Sequence, residues 1–210
     1  MGVDIREFDG RYESAILDMH KRAFGLVDMK SYSEDTLTRV RDILQKGRSA
    51  IAVDGRRLVG FGLSASIDKM PERNGMSHKD HVNNWFGWAK VPGQSGQLEN
   101  MLAKLRKHTV LVGTYSNPFI HSTNGVSKND WYMDGVAVLP ERRGEGIGRL
   151  LTEKRLEYAQ DEGAAAVYAT LHLAGRGIER LYTHLGFSPL LKITPAYPDG
   201  SAAKYVGKKL

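Results

Sequence analysis

The chain has 210 residues, of which 41% are hydrophobic and 26% charged, with no cysteine and a formal net charge of +6. That length fills one α/β domain or two small ones, and the absence of cysteine excludes disulfides, thiol catalysis and cysteine-ligated zinc. The positive surplus suits a polyanionic ligand, but the basic residues are dispersed among acids, which argues against nucleic acid as the partner.

The opening MGVDIREFDG is charged and lacks the apolar stretch of a secretory signal, and Arg6 stands where a myristoylation signal needs Ser or Thr. No apolar run approaches a membrane span, so a cytoplasmic protein is expected. Val3 to Phe8 alternates as a first strand. Tyr12 to Phe24 carries Ile16, Leu17, Met19, His20 and Phe24 at helical spacing and stops at Gly25. Ser33 to Gln45 reads as a second helix, with Ser33 as N-cap and Gly47 beyond its end. Ser49 to Val53 and Leu58 to Ile67 are apolar runs joined across Asp54-Gly55, a hairpin signal.

Residues 68–107 interrupt this rhythm with Trp85, Phe86, Trp88, Pro71 and Pro92, and Leu98 to Leu105 reads as a short helix. Such a segment serves either as a lid or partner surface or as an apolar cover for a sheet edge. Thr109 to Tyr115 then reads as a strand, and residues 117–129 as a polar loop before Trp131. His78-x-x-His81 has ligand-like spacing but no evident third ligand, so no metal is expected. Gly93-Gln94-Ser95-Gly96 is not a hydrolase nucleophile elbow.

The most informative stretch is Asp134 to Tyr158, DGVAVLPERRGEGIGRLLTEKRLEY. Val136 to Leu139 form a buried strand that Pro140 stops. Arg142, Arg143, Gly144, Glu145, Gly146, Ile147 and Gly148 follow, and Ile147, Leu150, Leu151, Lys154 and Tyr158 then recur at helical spacing until Gly163. A glycine-rich helix entry leaves N–H groups bare at the positive end of the dipole, an anion site that fits a pyrophosphate. The spacing is neither a Walker loop nor the dinucleotide G-x-G-x-x-G. Downstream, Ala164 to Leu173 reads as a buried strand, Gly177 to Leu185 as a helix, Phe187 to Ile193 as a strand and Ala203 to Leu210 as the last one.

Arg143, Gly146 and Gly148, preceded by Val138-x-Pro140, resemble the acetyl-coenzyme A loop Arg/Gln-x-x-Gly-x-Gly/Ala of the GNAT N-acetyltransferase superfamily, and Ile178 to Phe187 (IERLYTHLGF) resembles its L-Y-x-x-x-G-F element. The resemblance implies an α/β (α+β) GNAT fold: one mixed, mostly antiparallel sheet flanked by helices, with a splayed strand pair holding coenzyme A. Residues 1–210 would form a single domain, with 68–107 as its insertion. Acetyl-coenzyme A is the implied co-substrate. Val136, Ala137, Val138, Arg143, Gly144, Glu145, Gly146, Ile147, Gly148 and Arg149 would bind it, with Arg142 as a secondary charge and the Val136 N–H receiving the developing oxyanion.

Tyr182 is the implied proton donor to the departing thiolate, although its spacing alone also fits a core tyrosine. Asp134 is the implied general base, with His172 and His121 as alternatives. The sequence departs from the family where an Asn-x-x-Ala is common, holding Gly175 and Ile178 instead, so coenzyme contact there comes from backbone or is absent. The expected acceptor is a primary amine of a small molecule, with no membrane involved. A protein or peptide acceptor, or a non-catalytic acyl-coenzyme A-binding module, remains the alternative, and a homodimer is compatible with the chain.

Overall fold

An eight-stranded sheet, in the order β1-β2-β3-β5-β6-β8-β7-β4, organises the computed structural model, which describes residues 2–24, 34–71, 111–114, 126–173, 177–194 and 202–210. The strands are β1 (Asp4–Glu7), β2 (Ala50–Asp54), β3 (Arg57–Ser66), β4 (Leu111–Thr114), β5 (Trp131–Val138), β6 (Ala166–His172), β7 (Ser188–Thr194) and β8 (Ala203–Lys209). The helices are α1 (Glu13–Phe24), α2 (Glu34–Lys46), α3 (Ile147–Asp161) and α4 (Ile178–His184). Every neighbouring pair is antiparallel except β5 and β6. The expected mixed, mostly antiparallel sheet flanked by helices is therefore present.

Two apolar layers sandwich the sheet. Ile16 and Met19 of α1 and Val40, Ile43 and Leu44 of α2 cover one face together with Phe61, Leu63 and Ala65 of β3. Ile147, Leu151, Leu156 and Ala159 of α3 and Tyr182 of α4 cover the other, against Val59, Trp131 and Val167. Strand β3 is buried from Leu58 to Ser66, as expected of a mostly apolar central strand covered on both sides. The β2–β3 hairpin closes at Asp54↔Arg57, with Gly55 at φ +60°.

Most expected elements lie within two or three residues of their observed ends. The strand expected at 109–115 appears as β4 and pairs with β7, at the sheet edge opposite β1. Trp85, Phe86, Trp88 and the Leu98 to Leu105 helix lie outside the described residues. One reading is corrected. Leu150 does not face the core: it is 44% exposed. The buried face of α3 carries Ile147, Leu151, Thr152, Arg155, Leu156, Tyr158 and Ala159. The helical period aligns 147, 151, 155 and 159, but a search for apolar side chains passes over Thr152 and Arg155.

Candidate active site

Strands β5 and β6 pair only through Trp131↔Val167, Tyr132↔Tyr168 and Met133↔Ala169, although β5 runs on to Val138 and β6 to His172. The cause lies on the other side of β5. Ser64 pairs with Met133 and Gly62 with Val136, so Asp134 and Gly135 together oppose Leu63. That extra residue is a bulge, which bends its strand and ends regular pairing.

Beyond the bulge, the Leu139 N–H donates to Val59 O at 2.9 Å. Strand alternation then turns the amides of Val136 and Val138 away from β3, into the gap. At the closed end, Asp130 (3% exposed) accepts the Ala166 N–H at 3.1 Å on Oδ1 and the Ser127 N–H at 2.9 Å on Oδ2. Burial raises its pKa above the usual carboxylate value, against the opposing effect of these N–H bonds.

After β5 a short 3₁₀ turn (Pro140–Arg142) leads into the glycine loop. Gly144 has φ +89°, and Gly146, the N-cap of α3, has φ +79° and supplies no side-chain cap. Only glycine takes such angles without strain. The N–H groups of the first helical turn, at Ile147, Gly148 and Arg149, have no carbonyl one turn earlier and no cap, so they point out of the helix as donors. The Ile147 side chain is buried, and only its amide can meet a ligand.

The three arginines of this region differ. Arg142 donates to Asp54 at 2.7 Å and to both oxygens of Glu145 at 2.7 and 2.8 Å. Those bonds raise its pKa, that to Glu145 most, and lower the pKa of Glu145. Arg149 pairs with Glu153 at 2.8 Å. Arg143 donates to Val138 O at 3.3 Å and has no carboxylate partner among the described residues. Among these three, Arg143 is the cation left to meet an anionic ligand.

Tyr182 reaches under the sheet from α4, 2% exposed, its ring 4.8 Å from that of Phe187. Its hydroxyl accepts from Arg155 Nη2 at 3.4 Å. Arg155 also donates through Nη1 to Leu63 O at 3.0 Å, and Leu63 is the residue opposite the bulge. The phenol and the bulge are therefore joined through one guanidinium.

On the opposite face, Asp134 Oδ2 meets Arg39 Nη1 of α2 at 2.7 Å. His20 of α1 lies alongside, its ring centroid 4.6 Å from that of Phe24 and 6.0 Å from that of Phe61. Its Nε2 is 3.5 Å from where a side chain on Gly135 would begin. Burial lowers its pKa from 6.5 to about 4; Asp134 pulls it up and Arg39 pushes it down.

The acetyltransferase (GNAT) family model matches residues 14–187. The chain belongs to that family. A GCN5-related N-acetyltransferase from Kribbella flavida superposes with a TM-score of 0.61 at 15% identity, covering 99% of this chain and 98% of the other. NAA60 from Arabidopsis thaliana, in complex with acetyl-CoA, gives 0.60 at 14% identity over 100% and 99%. The ribosomal-protein-S18-alanine N-acetyltransferase of Escherichia coli gives 0.59 at 13% over 99% and 94%. A search of curated proteins returns no match.

As a GNAT acetyltransferase, the chain uses acetyl-coenzyme A as co-substrate. The uncapped amides of the glycine loop, Arg143 and the unpaired edge of β5 fit a diphosphate followed by an extended pantetheine arm. Of the alternative bases, His172 lies on β6 beyond its pairing with β5 and in register with Ala203 of β8. His121, Gly175 and the His78-x-x-His81 pair lie outside the described residues. Among the described residues no group of three or more histidines and carboxylates could hold a metal ion, and no helix is long and apolar enough to cross a membrane. The sequence reading missed Arg39, Arg155 and the chemistry of His20. A polar residue falling on an apolar helical stripe was the available signal for the last two.

Proposed function

We propose that this GNAT acetyltransferase moves acetyl from acetyl-coenzyme A to the primary amine of a small molecule by direct attack, with Tyr182 as general acid and Asp134 as the acceptor-side base. The observation that carries the reading is the parting of β5 from β6 at the Asp134–Gly135 bulge, beside an uncapped glycine-loop helix. The parted edge offers backbone groups that bind the pantetheine arm as an added strand and hold the thioester carbonyl beside Val136.

The amine nitrogen attacks that carbonyl carbon and forms the C–N bond, and the oxygen's developing charge is met by the Val136 N–H. The nitrogen's surplus proton passes to Asp134, directly or through water. The C–S bond then breaks, sulfur keeps the electron pair, and the Tyr182 hydroxyl hydrogen passes to it. The products are the amide and coenzyme A thiol, and solvent returns the proton to Tyr182.

The small acceptor is a reading from sequence, where Trp85, Phe86 and Trp88 give the 68–107 insertion apolar side chains suited to a small ligand. A thiol-release assay with acetyl-coenzyme A across amines, polyamines, aminoglycosides and peptides tests the acceptor class, and turnover confined to peptides overturns it. Tyr182→Phe should lower kcat by about 100-fold or more with little change in acetyl-coenzyme A affinity. An unchanged kcat removes Tyr182 from the mechanism.

A further inference from the structure

Arg155 is the most deeply buried charged side chain among the described residues, and the reaction above does not use it. It is 0% exposed, and among the described residues it has no carboxylate partner. Burying a guanidinium is strongly unfavourable unless its donors are met. Here they are met by neutral oxygens alone: Leu151 O at 3.3 Å, Leu63 O at 3.0 Å, Thr152 Oγ1 at 3.1 Å and Tyr182 Oη at 3.4 Å. The fold also reserves space for it. A side chain on Gly62 would begin 2.7 Å from Arg155 Nε. A core that needed only volume there would take a leucine or methionine in place of a cation.

The direction of each hydrogen bond follows from chemistry. A guanidinium has donors only. Thr152 gives its own hydrogen to Gly148 O at 2.8 Å, so its oxygen accepts from Arg155. The Tyr182 oxygen likewise accepts, and its hydrogen is directed away from the guanidinium. The chain Gly148–Thr152–Arg155–Tyr182 runs from the first turn behind the glycine loop to the phenol.

Resting on Tyr182 as the acid, we propose that Arg155 is its positioning residue: by donating to the Tyr182 oxygen it leaves the phenolic hydrogen for the departing sulfur, and it neutralises the phenolate once that hydrogen has gone. No further reactant enters. The C–S bond breaks as before, the hydrogen moves from oxygen to sulfur, and the fixed positive charge faces the oxygen until solvent reprotonates it.

The test is a double-mutant cycle of Arg155→Met and Tyr182→Phe, with Arg155→Lys as the conservative variant. It reads kcat and KM for acetyl-coenzyme A with the amine selected by the panel, alongside calorimetric binding and thermal unfolding. Loss of a charge-assisted hydrogen bond predicts that R155M lowers kcat by about 10- to 100-fold with KM within about twofold, and that R155K recovers part of the loss. In the Y182F background R155M should change kcat by less than about twofold, because two residues acting through one step are not additive. Equal loss in both backgrounds, or a loss confined to KM, overturns the proposal and leaves Arg155 as a helix support. A fully active Y182F instead defeats the reading of Tyr182 itself. Should R155M fail to fold, R155K measured in both backgrounds decides the same question.

Discussion

Arg39 Nη1 and Asp134 Oδ2 stand 2.7 Å apart, tying α2 to the point where β5 bulges. Their side chains are 20% and 18% exposed, so the pair is screened less than a surface salt bridge. The contact orients the carboxylate proposed as base. Asp134→Asn keeps the shape and removes the proton acceptor. It should lower kcat at neutral pH by about 100-fold, and its rate should climb with pH as the free amine becomes abundant on its own. Kinetics from pH 6 to 10 check this; a variant as active as the parent makes the pair purely structural.

His20 gives the protein an acid-sensitive core. Its folded pKa is about 4 against 6.5 when exposed, because burial disfavours the charged ring. Between those values the unfolded chain binds the proton and the folded chain does not. The stability contribution is therefore complete above pH 6.5 and is lost as the pH falls through about 4, by up to about 3 kcal/mol. His20→Gln should flatten that acid limb relative to the parent. Urea midpoints measured from pH 7.5 to 4 give the comparison, and parallel curves would exclude His20 as the cause.

Asp130 holds the closed end of the splay and titrates with the opposite sign. Its folded pKa is raised by burial, so the folded chain keeps the proton longer, and acidification through the window above 3.8 adds stability at this site. Asp130→Ala leaves the N–H groups of Ser127 and Ala166 without their acceptor. At roughly 1–3 kcal/mol for each buried unsatisfied group, Tm should fall by about 5–15 °C. Asp130→Asn, which retains one oxygen, should fall less. Calorimetry of the two variants at pH 7 reads the order.

The conformation of the glycine loop was legible because it is local. Bare amides need glycines at fixed positions around a helix start, and Gly144, Gly146 and Gly148 alternate within five residues of the chain. The hairpin at Asp54 and Gly55 and the apolar runs of the buried strands were legible for the same reason. The acceptor side was not. Asp134 meets Arg39 across about 95 residues, nearly half the length of the chain, and nothing in either neighbourhood marks the partnership. The bulge is a register difference between β3 and β5, visible only once both strands are paired. Arg155 was hidden by a sound expectation, that arginines on a helix face water. Its place on the 147, 151, 155 and 159 line was the clue, and it outweighed residue type.

Gly62 offers a way to disturb Arg155 without altering either member of the proposed pair. A methyl at residue 62 would lie 2.7 Å from Arg155 Nε and 3.0 Å from its Cδ and Cζ, so the guanidinium must move. Overpacking of this kind costs about 1–3 kcal/mol. Gly60 is the control, two residues along the same face of β3, where a methyl would meet Leu151 Cδ1 and Ala137 O at 3.1 Å and leave Arg155 alone. Both alanine variants should lose stability, but only Gly62→Ala should also lose turnover, by about tenfold, because a shifted Arg155 no longer fixes the phenol. Matched losses of turnover at both positions would mean that strain in β3, and not the placement of Arg155, governs the rate. Steady-state kinetics of the two variants, normalised to the folded fraction at the assay temperature, separates these outcomes.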